Sequence, residues 1–144
     1  MVRYVKVGLL PQALMPKHQL AFGASLTYIV TVLTRPITVA ETQAFVRAAE
    51  KIWSEEERAE LVDFIAHNPE AGDVIPGTGG VRKLRWARAG GGKRGGARVV
   101  YFFYRPDCPL YLLLAYAKAQ ASDLSADEKK AVAAFAAAIK AMME

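Results

Sequence analysis

Between Asp73 and Asp107 the chain has no acidic residue, so nothing within that window offsets Arg82, Lys83, Arg85, Arg88, Lys93, Arg94, Arg98 and Arg105. Cysteine is nearly absent as well. Cys108 stands alone among 144 residues, which excludes an internal disulfide and fits a structural cysteine in a reducing compartment, the cytoplasm. The histidines are His18 and His67 only. Neither stands beside a nucleophile and an acid, and no His/Cys/Asp cluster has metal-ligand spacing. His67 lies where a helix should end, and a cation there complements the helix dipole. Long hydrophobic runs are missing too: Leu20–Leu33 is fourteen residues, too short to span a bilayer. Gly90–Lys93 lacks the rest of a phosphate loop. Ala87 stands where glycine is required, Arg94 where Ser or Thr would hold magnesium, and the next element is a strand rather than a helix.

What is present is concentrated. Eight of the eleven glycines share the acid-free window with its eight cations, whereas the whole chain carries only +5. The remainder is therefore net acidic, with nine carboxylates against three cations from Glu41 to Asp73. That acidic run reads as a solvated helix face, with pairing to the basic strand as an alternative. A basic patch confined to one supersecondary unit is the electrostatic footprint of a polyanion, most often nucleic acid.

Residues 1–34 do not share the pattern of residues 35–144. Arg3, Lys6 and Lys17 precede the apolar stretch. That arrangement fits a signal peptide, an extra strand or disordered leader, or translated upstream sequence from a start codon placed too early. The expected division is an extension over 1–34 and one domain over 35–144, a length that supports a single core.

Within 35–144 the local signals agree. Residues 37–40 predict a short strand. From Glu41 to Ile52 the apolar spacing predicts a helix with Phe45, Ala48, Ala49 and Ile52 on one face. Ser54 and Glu57 form a capping box for a second helix, with Leu61, Phe64 and Ile65 inward, which Pro69 stops. Three strands come next. In 81–87 Leu84 and Trp86 alternate with Lys83 and Arg85. Residues 98–105 have the composition of a central strand, and 110–117 is a third apolar run. Residues 89–96 join the first two strands as a glycine-rich hairpin loop. Ser125 and Glu128 cap a final Ala-rich helix with Val132, Phe135, Ala136 and Ile139 along one side. The expected fold is α+β: a short strand, two helices, a three-stranded antiparallel meander and a C-terminal helix.

Lys83 and Arg85 then share one strand face, and Arg98 can lie across from them, depending on register. Lys93 and Arg94 hang on the glycine loop, and Lys118 ends the last strand. Trp86 and Tyr101 suit the core better than base stacking.

Three segments, Gly77–Arg85, Gly92–Tyr101 and Leu110–Lys118, together with Asn68–Ile75 and Asp123-Leu124-Ser125, resemble a HigB-type toxin of the RelE/ParE superfamily over about residues 36–144. The resemblance implies the RelE-like fold and a metal-independent endoribonuclease that enters the 70S ribosome and cuts translated mRNA. It also implies a cognate antitoxin with a helix-turn-helix domain, and no cofactor or membrane. Carried onto matching positions, Lys83 and Arg85 are the paired basic residues, Arg98 contacts the scissile phosphate, and Lys118 completes the catalytic set. Arg82, Arg88, Lys93 and Arg94 are the accompanying RNA-binding cations. RelE-like ribonucleases carry an arginine directly after the last-strand lysine, and here Ala119 stands there. The leaving-group acid stays open among Lys118, Arg98 and Lys93. A gyrase poison of the ParE kind and a non-catalytic nucleic-acid-binding module are the alternative functions.

Overall fold

A computed structural model describes residues 2–5, 37–87, 96–118 and 123–144, with backbone only for 2–5. Residues 6–36, which hold the apolar run, and 88–95, which hold Arg88, Lys93 and Arg94, lie outside the described residues, as does Ala119.

The chain runs β1 (Val2–Val5), β2 (Val39–Thr42), α1 (Gln43–Ile52), α2 (Glu55–His67), β3 (Asp73–Val74), β4 (Val81–Trp86), β5 (Ala97–Phe102), β6 (Leu110–Ala117) and α3 (Ala126–Met143). Six strands form one sheet in the order β1-β2-β6-β5-β4-β3. The β2–β6 pair is parallel and the other four pairs are antiparallel. The α+β fold with its meander and C-terminal helix is the one the sequence predicts.

Both predicted capping boxes form. Ser54 accepts from the Glu57 amide at 3.2 Å and Ser125 from the Glu128 amide at 3.1 Å, while each glutamate accepts from its serine's backbone N–H. The first helix boundary differs from expectation. The strand is 39–42 rather than 37–40, and the helix begins at Gln43 rather than Glu41. Thr42 is the reason: its hydroxyl accepts from the Phe45 amide at 3.2 Å, which places the cap one residue past Glu41. Glu41 therefore belongs to the sheet. It is 1% exposed and holds Arg58 of α2 through two hydrogen bonds of 3.1 Å, Nε to Oε1 and Nη2 to Oε2. The solvated-face reading of the acidic run fails at this residue and fits Glu55, Glu56, Glu60 and Asp63, which are exposed.

Each face of the sheet buries its own layer. On one, α1 and α2 cover Val99, Tyr101, Leu110, Leu112 and Ala115 with Phe45, Ala49, Trp53, Leu61 and Ile65. On the other, α3 lays Val132, Ala136 and Ile139 over Val81, Val100, Phe102, Tyr111 and Leu113. Each such large side chain taken fully from water contributes roughly 1.5–3 kcal/mol. No helix among the described residues is long and apolar enough to cross a membrane. Cys108 is buried, in keeping with a structural role.

Candidate active site

Alternation along β4 sends Val81, Lys83 and Arg85 to the α3 face and Arg82, Leu84 and Trp86 to the other. The register answers the question that the sequence leaves open: Arg85 lies directly opposite Arg98 of β5. Arg98 in turn lies opposite Tyr116 of β6. A row Arg85–Arg98–Tyr116 thus crosses three strands, with Lys83 two residues along β4.

α3 does not cover this part of its face. Arg85 and Lys118 are exposed and Lys83 and Arg98 half-buried. Gly96 packs the two arginines closely. A Cβ there would lie 3.7 Å from Arg85 Nε and 3.8 Å from Arg98 Nη1, so both guanidiniums border the same space. The Lys118 amide donates to the Gly96 carbonyl at 3.2 Å, which holds the end of β6 beside that pair.

Tyr116 reaches this face through an irregularity. The β5–β6 register shifts between Val100 and Tyr101, which pair with Leu114 and Leu112 respectively, leaving Leu113 as an extra residue. Leu113 and Leu114 consequently both pack on the α3 side, and every later residue of β6 changes face. Unbroken alternation from Leu110 and Leu112 would put Tyr116 among the α1/α2 core residues. The Thr42 hydroxyl donates to the Leu113 carbonyl at 3.0 Å, so the residue that caps α1 also pins the bulge.

One carboxylate enters the basic face. Asp123, just before α3, accepts from its neighbour's Leu124 amide at 2.8 Å and from Lys83 Nζ at 3.4 Å. The Leu124 hydrogen bond, then the Lys83 charge, holds the Asp123 carboxyl below the usual aspartate range. An exposed pair of this kind contributes little to stability. It does hold the Lys83 side chain against a carboxylate on this face. Burial pushes the Tyr116 phenol above its ordinary value; the Asp123 and Glu128 charges add to this and Arg98 opposes it. Tyr116 Oη and Arg98 Nη1 are both buried without a hydrogen-bond partner among the described residues.

Lys83, Arg85 and Arg98 thus come to one region of one face, and the backbone of Lys118 is held beside them at the end of β6. Arg82 does not. It lies on the opposite face, where Nη1 donates to the carbonyls of Gly72 at 2.7 Å and Glu70 at 3.2 Å. Tyr101 works with it, accepting from the Gly72 amide at 2.8 Å, and is fully buried. Trp86 packs against Phe64 on that same side, the rings tilted with centroids 5.1 Å apart. Arg105 is at the other end of the molecule, bound to Asp107 at 2.9 Å and to the Met143 carbonyl at 3.3 Å. Sequence reasoning gives neither Tyr116 nor Asp123 a role. Strand alternation alone places Tyr116 on the wrong face, and Asp123 lies outside the basic window.

Among the described residues, no group of three or more His, Cys, Asp or Glu side chains comes together to hold a metal. Fold and site together define an α+β protein that presents fixed cations, and a neutral phenol, on the open part of a sheet. Residues 37–144 match the model of the family described as RelE toxin of the RelE / RelB toxin-antitoxin system. The chain belongs to that family and is a toxin of a toxin–antitoxin system.

Proposed function

We propose that this toxin is a metal-independent endoribonuclease that cuts mRNA on the 70S ribosome and so inhibits translation. The observation that carries the reading is the direct pairing of Arg85 with Arg98 beside Lys83 on one open face. Cleavage of this kind begins when an mRNA 2′-hydroxyl gives its proton to solvent water and its oxygen attacks the adjacent phosphorus in line. The 2′-O–P bond forms as the P–O5′ bond breaks, through a phosphorane that carries two negative charges. Cations already held where that charge develops stabilise it without reorganising, often the largest contribution to such catalysis.

In this scheme Arg98 and Arg85 hold the non-bridging oxygens. Lys83 adds a third positive charge, and a substrate phosphate displaces Asp123 from it. Lys118, at the end of β6, is taken as the acid that protonates the departing 5′-oxygen, with Arg98 and Lys93 as the alternatives. Lys93 and Arg94, with Arg88, extend the phosphate contacts from the glycine loop. Resemblance to HigB-type toxins supports a helix-turn-helix antitoxin as the cognate partner.

Primer extension on cellular mRNA after brief induction tests the proposal. Codon-phased cuts that disappear in Lys83→Ala and Arg98→Ala are the expected result. Intact mRNA with a DNA-damage response would replace it with the gyrase-poison reading. RNA binding without cleavage, weakening with salt at a log–log slope of about −0.7 per phosphate contacted, would leave a binding module.

A further inference from the structure

We propose that the Tyr116 hydroxyl and Arg98 Nη1 form a two-donor subsite for one non-bridging oxygen of the scissile phosphate, making Tyr116 a substrate-contacting residue of the site. The proposal rests on the nuclease reading. Two buried donors that find no acceptor among the described residues are costly, because each has given up water without a replacement there. They stand on directly opposed residues of β5 and β6, the two central strands of the sheet. The strand positions beside them are packed into the two cores, Val99 and Ala115 on one face and Val100, Leu113 and Leu114 on the other.

The arrangement is also specifically built. The phenol is on this face only because of the extra residue Leu113, whose carbonyl Thr42 holds. Bulges that re-aim a side chain are characteristic of functional sites. An anionic oxygen would accept from both donors at once and remove both deficits, with the phenol completing a contact that the guanidinium alone leaves one-sided. Burial keeps the proton on Tyr116, so at neutral pH the group is a donor and brings no negative charge toward the phosphate.

Tyr116→Phe removes only the oxygen and leaves the ring in its packing. The expected result is a fall in single-turnover mRNA cleavage on ribosomes of about 10- to 150-fold, the range for a hydrogen bond to a charged group. It should appear in kcat, with little change in KM and a melting temperature equal to or above wild type. Wild-type cleavage by the variant overturns the proposal. So does a drop in melting temperature accompanying the loss, which would mean that the hydroxyl has a structural partner. A second measurement does not depend on cleavage: the rise in melting temperature with inorganic phosphate, against chloride at matched ionic strength. A smaller rise in Tyr116→Phe than in wild type supports the subsite, and equal rises overturn it. If wild type leaves mRNA intact, the nuclease reading falls, and the phosphate measurement alone decides the subsite.

Discussion

Replacing Arg98 with methionine separates the energetic cost of the site from its chemistry. Methionine keeps an unbranched stem of similar reach, so the packing of the aliphatic part survives. Two unfavourable features disappear. One is the buried Nη1 without an acceptor among the described residues, a deficit of about 1–3 kcal/mol. The other is the like charge of Arg85 directly across the strand pair, roughly 0.2–1 kcal/mol. Because the side chain is only half-buried, solvent screens both, and a net gain of about 1–2 kcal/mol is expected. For a domain of this size that raises the melting temperature by about 4–8 °C. Calorimetry in phosphate-free buffer measures the shift, and primer extension on the same preparation should show cleavage reduced by about 10²–10³-fold. Inorganic phosphate should narrow the stability gap by stabilising wild type preferentially. A variant that melts below wild type, or one that still cuts at the wild-type rate, would refute the reasoning.

Other perturbations read different parts of the molecule. Glu41→Ala takes the carboxylate partner from the partly buried Arg58 and should cost about 3–5 kcal/mol in urea denaturation, whereas the joint replacement Glu41→Leu with Arg58→Met should recover most of it. Arg82→Ala, which releases the Glu70 and Gly72 carbonyls, should lower stability by about 1–2 kcal/mol and leave cleavage within about threefold of wild type, the reverse of Lys83→Ala. Burial raises the Tyr101 phenol above its ordinary 10.0, so the unfolded chain loses that proton first as pH rises. The stabilisation is complete below about pH 10 and is lost as pH climbs through the folded value, so phenolate absorbance should lag the alkaline titration of free tyrosine and then rise cooperatively with unfolding. A phenolate signal from Tyr101 at its ordinary value would contradict this.

Much of the architecture was legible because local and global preferences coincide. The Ser54 and Ser125 boxes each fix a helix start through hydrogen bonds that only their own four residues supply. Lys83 and Arg85 could be set on one face because β4 alternates without interruption. The failures share a physical origin in contacts between residues distant in sequence. Glu41 looked like a first-turn helix carboxylate, and its meeting with Arg58 helps to make a buried strand position tolerable. Arg82 belongs to the same charge run as Lys83, yet neighbouring strand positions have opposite faces and opposite tasks. Tyr116 could not be placed by counting twos along β6, because one extra residue reverses every later side chain. Nothing in Leu110–Ala117 signals where that residue falls; the Thr42 hydroxyl, on another strand, marks it.

The parallel junction of β2 with β6 also orders events in time. Thr42 and Leu113, joined there, are 71 residues apart in sequence, whereas β4, β5 and β6 are consecutive along the chain. Loop-closure entropy makes the distant pairing the slow one, and during synthesis it cannot begin until β6 has emerged. Until then Thr42 cannot hold the bulge, and Tyr116 has no fixed side of the sheet. A nascent chain can thus expose its basic hairpin well before the hairpin becomes a finished site. The ribosome that makes this protein has released most of it before the last piece locks, an interval in which a partner can engage the toxin before it is competent.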